Sequence, residues 1–187
     1  MMRLMNLPAG FRVGLGYDVH PFADAAAARP LVLGGVTIPH PRGLAGHSDA
    51  DALAHAIGDA VLGALALGDL GAHFPDTDPR FLGVSSLSLL AECAAMAARE
   101  GYRIANVDSI LVTEEPRIAP HAALMRERLA ASLGVDAARV SVKATRPEGL
   151  GALGRREGIA CQAIALLASR GALSKLFAHI RRRGGRG

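Results

Sequence analysis

Apolar residues recur along this chain at two spacings, one helical and one extended, and the two kinds of segment interleave. Leu53, Ile57, Val61 and Leu65 recur at intervals of four and form one apolar stripe. That stripe makes residues 48–67 the strongest predicted helix. Ser48 is placed as its cap, and Asp49 and Asp51 fall in a first turn where carboxylates suit the helix dipole. Further helices are predicted over 85–99, ending before Gly101, and over 119–133, stopped by Gly134. Apolar and β-branched runs predict strands over 12–16, 31–38, 102–113 and 140–144. The run 31–38 is broken by Gly34-Gly35, the mark of a bulge or a tight turn. Residues 158–167 alternate imperfectly and fit either a strand or a helix, with a strand preferred. The Gly-, Pro- and Asp-bearing stretches 68–79 and 146–154 read as loops. Residues 169–187 read as an amphipathic helical turn or two that end in an Arg/Gly run. Strands interleaved with helices predict an α/β chain or α+β sandwich.

Composition bounds the class. The chain has 187 residues, half of them hydrophobic, the size of one ordinary domain with enough apolar surface for its own core. There is no internal repeat and no long linker. The sequence pI near 9.7 invites a nucleic-acid or membrane partner. Its distribution argues otherwise: residues 1–169 carry 15 basic and 17 acidic residues, and the six basic residues from Arg170 onward face no acidic ones. Cys93 and Cys161 form no CxxC pair, which argues against a disulfide framework or zinc knuckle and for a reducing, cytoplasmic setting. Residues 1–10 are too short and too weakly apolar for a signal peptide. No apolar run reaches the roughly 18 residues of a membrane span; the longest, 60–68, is bracketed by Asp59 and Asp69.

Four segments carry candidate chemistry. In Gly16-Tyr17-Asp18-Val19-His20, an extended backbone points Asp18 and His20 the same way. One carboxylate and one imidazole suit a zinc site. Asp51 and His55 are i, i+4 on one face of a predicted helix; that face reads either as a surface with a capping serine and solvated acids, the reading His55 alone would favour, or as the source of a third ligand, His55, in a site with an open position. His47 precedes that helix, near its positive end, where anions bind. Four of the seven histidines fall between His40 and His73, a density that favours a polar site over a solvated surface. The acidic turn 69–78 reads as an Asx-rich loop or as a ligand-binding loop. Lys143 to Gly151 leaves a strand for a glycine-bearing loop whose Lys, Thr and Arg are phosphate-contacting types. Glu148 there suits a divalent cation on a diphosphate. The segment lacks P-loop spacing.

Taken in order, several stretches resemble one family. They are Gly14-Leu15-Gly16-Tyr17-Asp18-Val19-His20, Leu33-Gly34-Gly35-Val36-Thr37-Ile38-Pro39, Ala45-Gly46-His47-Ser48-Asp49-Ala50-Asp51, Gly68-Asp69-Leu70-Gly71, Phe74-Pro75-Asp76-Thr77-Asp78, Asn106-Val107-Asp108, Val142-Lys143-Ala144-Thr145 and Gly158-Ile159-Ala160-Cys161. The chain resembles the 2-C-methyl-D-erythritol 2,4-cyclodiphosphate synthase family of non-mevalonate isoprenoid biosynthesis. The likeness covers residues 12–169, between an N-terminal extension, 1–11, and a basic C-terminal tail, 170–187.

The resemblance implies a mixed β-sheet backed by helices, assembled as a homotrimer with active sites between subunits. It implies cyclisation of 4-diphosphocytidyl-2-C-methyl-D-erythritol 2-phosphate with loss of CMP. It implies Zn2+ on Asp18, His20 and His55, and a second divalent cation, Mg2+ or Mn2+, helped by Glu148. His47 and Arg146 fall at the family's catalytic positions. Substrate contacts are implied for Asp18, Val19, His20, His47 and Ser48, for Asp69, Leu70 and Gly71, and for Phe74, Pro75, Asp76, Thr77 and Asp78. On the cytidine side they fall on Thr113, Glu114, Glu115, Pro116, Arg117, Ile118 and Ala119, and on Thr145, Arg146, Pro147, Glu148, Ala152 and Arg155. No nucleic-acid or membrane partner is implied. The chain departs from the family where three consecutive threonines are usual and Thr145, Arg146 and Pro147 stand here. Arg146 replaces a hydroxyl with a charged donor or else overfills the pocket; Pro147 has no N–H to give. Ala152 replaces a phenylalanine, and Arg117 a lysine. The alternative these changes raise is a catalytically weakened homologue kept as a trimeric, metal- and ligand-binding scaffold.

Overall fold

A computed structural model of the chain describes residues 10–169 and 171. Nearly all of the predicted N-terminal extension and basic tail, with the helical turns expected beyond Ser169, lies outside the described residues. The strands are β1 (Phe11–Pro21), β2 (Leu31–Leu33), β3 (Val36–Ile38), β4 (Tyr102–Val112), β5 (Val140–Thr145) and β6 (Gly158–Ser169). The helices are α1 (Ala52–Ala64), the single turn α2 (Leu70–His73), α3 (Ser86–Arg99), α4 (Ala122–Leu133) and the single turn α5 (Gly151–Gly154). Four strands form a mixed sheet in the order β1-β6-β4-β5, in which only the β4–β5 pair is parallel. Helix α1 packs over β1 and β6, α3 lies beside it against β4, and α4 packs on β5. The result is a mixed sheet backed on one face by helices, as the interleaved pattern predicts.

Strand β1 shows why α1 sits where it does. Its even residues face the helices and its odd residues do not: Phe11, Val13, Leu15, Tyr17 and Val19 are all exposed, 48–68%. A Cβ on Gly14 would stand 1.9 Å from the carbonyl oxygen of Ala60, and one on Gly16 1.9 Å from that of Ala56. The helix therefore rests on the strand's bare backbone. Its own surface there is alanine, with Ala56, Ala60 and Ala64 buried. A helix apolar almost all round is a buried helix, and in α1 the side chains left half-buried are His55 and Asp59, four residues apart.

Several boundaries differ from the sequence expectation. Strand β1 runs five residues past Gly16, because Tyr17 to Pro21 continue the pairing with β6 as far as Gly158. The run 31–38 is a two-stranded hairpin whose turn is Gly34-Gly35, both at positive φ, the geometry of a two-residue turn between twisted strands. Helix α1 begins four residues later than its stripe suggests, and its cap is Asp51, not Ser48. The loop 68–79 contains α2, capped by Asp69, and the loop 146–154 contains α5. Helix α4 starts at Ala122 and ends on Gly134 in the left-handed conformation.

Asp51 explains the later start. It is fully buried, and its Oδ1 accepts from the N–H of Leu53 at 3.2 Å, of Ala54 at 3.0 Å and of Gly34 at 2.8 Å. Its Oδ2 accepts from the N–H of Gly35 at 2.6 Å. Burial pushes its carboxyl upward in pKa, and the backbone N–H groups oppose that. One carboxylate thus caps α1 and clamps the β2–β3 turn to it. It is not available to the face that carries His55.

Two substitutions test this frame. Gly16→Ala should lower unfolding stability by about 3 kcal/mol or more, because its Cβ meets backbone and not a movable side chain. Asp51→Ala should cost about 3 kcal/mol or more, since it strips a cap and leaves buried N–H groups without acceptors. Urea unfolding midpoints check both.

Candidate metal centre

The register of β1 against β6 sets Asp18 opposite Cys161 and His20 opposite Ile159, with both side chains on the helical face. One turn past its cap, α1 brings His55 to the same place. Three ligand atoms meet there. Oδ2 of Asp18 lies 2.9 Å from Nε2 of His20 and 3.0 Å from Nδ1 of His55, and the two imidazole nitrogens are 3.3 Å apart. A tetrahedral ion bound at about 2.0–2.1 Å holds its ligand atoms roughly 3.3 Å apart. Among the described residues this is the cluster that offers three such donors to one ion. The donor set, one carboxylate oxygen and two imidazole nitrogens, fits a divalent metal with a free position.

The electrostatics agree. Burial opposes ionisation of Asp18, but hydrogen bonds and charge from His20 and His55 outweigh it and hold the carboxyl far below its usual range. The same Asp18 contact raises the pKa of His20 against the opposing effect of burial. Nδ1 of His20 is 2.6 Å from the carbonyl oxygen of Ala45. The loop bearing that carbonyl is held from outside by Arg29, whose guanidinium donates to the carbonyls of Gly46 and Ser48.

The metal cluster opens on a cavity of about 570 Å³. Of the residues singled out in the sequence, Asp18, His20, His47, Ser48, His55, Asp69, Leu70, Gly71, Phe74, Pro75 and Asp76 line it. His47 brings a buried Nε2 with no hydrogen-bond partner among the described residues. A second cavity, about 320 Å³, lies off the ends of β4 and β5 and is lined by Thr113, Glu114, Pro116, Arg117, Ile118, Ala119, Thr145 and Arg146. The two groups of predicted residues therefore occupy separate cavities within one chain. Val19, Thr77, Asp78, Glu115, Pro147, Glu148, Ala152 and Arg155 line neither. Asp78 caps the short turn Pro79–Phe81 and pairs with Arg80 at 2.6 Å. Arg155 pairs with Glu157 at 2.7 Å. Glu148 is exposed at φ 53°, in the left-handed region, and the following N–H of Gly149 donates to Glu114 at 2.6 Å.

Sequence reasoning missed several residues of the first cavity. Asp59 lines it, and its Oδ1 accepts from the N–H of Leu70 at 2.8 Å, which fixes the start of α2. Burial, with Asp69 and Asp18 nearby, pushes its carboxyl up. The i, i+4 spacing from His55 was the available signal. Arg29 and Ser86 reach the site from distant segments and left no local signal. Cys93 and Cys161 are both buried free thiols; burial pushes Cys93 up to about 12, which makes it a core residue and not a nucleophile. No helix among the described residues is long and apolar enough to cross a membrane.

Comparison with known proteins gives one answer. The family model described as the YgbB family matches residues 11–168. A 2-C-methyl-D-erythritol 2,4-cyclodiphosphate synthase of Syntrophobacter fumaroxidans is 56% identical over 160 residues, covering 86% of this chain and 99% of that one. The solved bifunctional IspDF of Campylobacter jejuni superimposes with a TM-score of 0.81 at 38% identity. That match covers 87% of this chain but 43% of the longer protein. The IspF of Plasmodium falciparum, solved as a CDP complex, gives 0.75 at 32% identity, covering 86% of this chain and 97% of that one.

Metal binding needs neutral imidazoles, so protons compete with it. With the His20 pKa raised, that competition begins at higher pH than for a free imidazole. Divalent-metal affinity should fall about tenfold per pH unit below that pKa, as read by calorimetric titration. His55→Ala should abolish metal uptake while leaving the circular dichroism spectrum intact; full occupancy in the variant would remove His55 from the ligand set.

Proposed function

The chain belongs to the YgbB family, and from that premise we infer its reaction. It cyclises 4-diphosphocytidyl-2-C-methyl-D-erythritol 2-phosphate to 2-C-methyl-D-erythritol 2,4-cyclodiphosphate and releases CMP. The observation that carries this reading is the meeting of Asp18, His20 and His55 at one point of a cavity. The 2-phosphate oxygen bonds to the β-phosphorus of the same molecule, and the bond from that phosphorus to the bridging oxygen breaks, so that CMP leaves. Both partners in the attack belong to one molecule, so positioning supplies much of the acceleration. Both are anionic, so the site must also neutralise charge.

The finer assignment is ours. Asp18, His20 and His55 would hold Zn2+, and Glu148 would help hold a second divalent cation, Mg2+ or Mn2+. When bound, these ions polarise the phosphoryl oxygens and offset their charge. His47 and Ser48 hold the methylerythritol phosphate, Asp69 to Gly71 take the polyol hydroxyls, and Phe74 to Asp78 close that side. Thr113 to Ala119 cradle the cytidine with Thr145 and Arg146, and Ala152 and Arg155 flank them. Arg146 stands where a hydroxyl is usual and gives the diphosphate a charge-assisted donor. The catalytic unit is residues 12–169, and the reaction is placed in the cytoplasm, with no nucleic-acid or membrane partner.

A homotrimer is proposed because the two cavities hold complementary halves of one substrate site. The face of the sheet opposite the helices supports it. Val13, Leu15, Tyr17, Val19 and Ile164 form an exposed apolar patch on adjacent strands, the kind of surface a partner covers. In such a trimer the nucleotide cavity of one copy would complete the metal centre of another. A weakened, non-turning-over scaffold is the competing reading, favoured by Arg146 and Pro147 alone.

Purified protein with substrate, Zn2+ and Mg2+ should release CMP, and sedimentation should give three chains per particle. A folded trimer that releases no CMP would overturn the catalytic reading. Arg146→Thr should lower kcat about tenfold if the guanidinium contacts the diphosphate; a gain in kcat would instead mark a weakened site.

A further inference from the structure

The three ligand atoms of the metal centre must present lone pairs to one point, and for the histidines this depends on which ring nitrogen carries the proton. Neutral imidazole has one of each kind. For His20 the answer is local: Nδ1 faces the carbonyl oxygen of Ala45 at 2.6 Å, an atom that can only accept. Nδ1 therefore carries the proton, and Nε2 is free for the metal. His55 uses the opposite nitrogen. Its Nδ1 is the one directed at Asp18 and His20, so its proton must sit on Nε2.

What faces that Nε2 is a serine. The Oγ of Ser86, at the start of α3, lies 2.8 Å away, and Ser86 is 1% exposed. A hydroxyl can donate or accept, so alone it fixes nothing. Asp49 decides the direction. Its Oδ1 accepts the single proton of the Ser86 hydroxyl, and its Oδ2 accepts the backbone N–H of Ser86 at 3.1 Å. With its proton spent on a carboxylate, the Ser86 oxygen can only accept from His55. The Oγ of Ser48 is a longer second partner, 3.2 Å from the same nitrogen; it accepts the N–H of Ala50 and can give its own proton to the Oγ of Ser86, 3.4 Å away, which leaves it a second acceptor for His55.

We propose that Asp49 and Ser86 are a positioning pair that locks His55 in its Nε2–H tautomer and thereby makes Nδ1 the third donor of the metal centre. The proposal rests on the metal reading of Asp18, His20 and His55. It assigns neither residue to the chemistry of the substrate. Asp49 reaches across from the loop before α1, where the N–H of Asp49 also donates to the carbonyl of Val84 at 3.2 Å. The start of α3 and the start of α1 are thus joined through the bond that orients a ligand. Outer partners of this kind typically change metal affinity by about 10–100-fold.

Two measurements decide it. In zinc-loaded protein labelled with nitrogen-15 at histidine, held above the pH range where imidazoles titrate, long-range proton–nitrogen correlations should show Nε2–H for His55 and Nδ1–H for His20. A native Nδ1–H form of His55 overturns the proposal, and this reading needs no variant to fold. Zn2+ affinity by chelator competition should fall about 10–100-fold in Ser86→Ala, with mixed His55 tautomers. Asp49→Asn should move both readouts in the same direction. Affinity within about twofold of native, or a loss with the tautomer unchanged, overturns the positioning role. Native protein that takes up no zinc would sink the metal reading, whereas zinc uptake with the opposite His55 tautomer would sink the lock alone.

Discussion

The contact of helix α1 with the backbone of strand β1 is the constraint from which the rest of this structure follows. Alanines on one side and Gly14 and Gly16 on the other bring the two elements together until no side chain fits between them. Past Gly16 the same strand alternation places Asp18 and His20 on that face, and the helix turns His55 toward them. Ligand atoms 2.9–3.3 Å apart need this closeness. A strand and helix held apart by ordinary side chains would leave the imidazole of His55 short of Asp18. The glycines are thus part of the site although none of their atoms touches a ligand.

Close packing fixes the separation of the two elements but not the rotation or axial position of the helix. Asp51 supplies that: one buried carboxylate takes both N–H groups of the Gly34-Gly35 turn and two at the start of α1. Sliding the helix by a residue would break these bonds and turn His55 away by about 100°. Asp49, two residues earlier, joins the same region to α3, and Arg29 holds the intervening carbonyls. Buried polar groups that are all satisfied define one geometry. Here that geometry is inherited by the metal ligands one turn further on.

What could be read from the sequence divides along the same line. The alternation in Gly16-Tyr17-Asp18-Val19-His20 is local, so the shared face of Asp18 and His20 was legible before any fold. The four-residue stripe from Leu53 gave α1 and, through it, His55. Ser48 looked like the cap because it is a good capping residue at the edge of the stripe; Asp51 took the place because the glycine turn needed an acceptor from outside the helix. Ser86 and Arg29 were invisible for a different reason. Their partners lie 31 and 17 residues away, and no spacing rule links such positions. Arg146 and Pro147 stood out only against the family pattern, since an exposed loop has no periodicity to violate.

The charge of the chain is resolved by the same geometry. Residues 1–169 carry more acids than bases, and the cavity that should receive a polyanion is lined by Asp18, Asp59, Asp69 and Asp76. Left alone, such a pocket repels its substrate. Burial pushes the Asp59 carboxyl up in pKa, but the change of sign comes from the cluster beside it. The convergent lone pairs of Asp18, His20 and His55 create a position that a divalent cation, and no side chain, can fill; an ion there is the largest local charge and inverts the field. The second cavity needs no such inversion, because Arg117 and Arg146 already face it. The first cavity is therefore matched to a cation on its own donors, and the second already presents arginines to an anion.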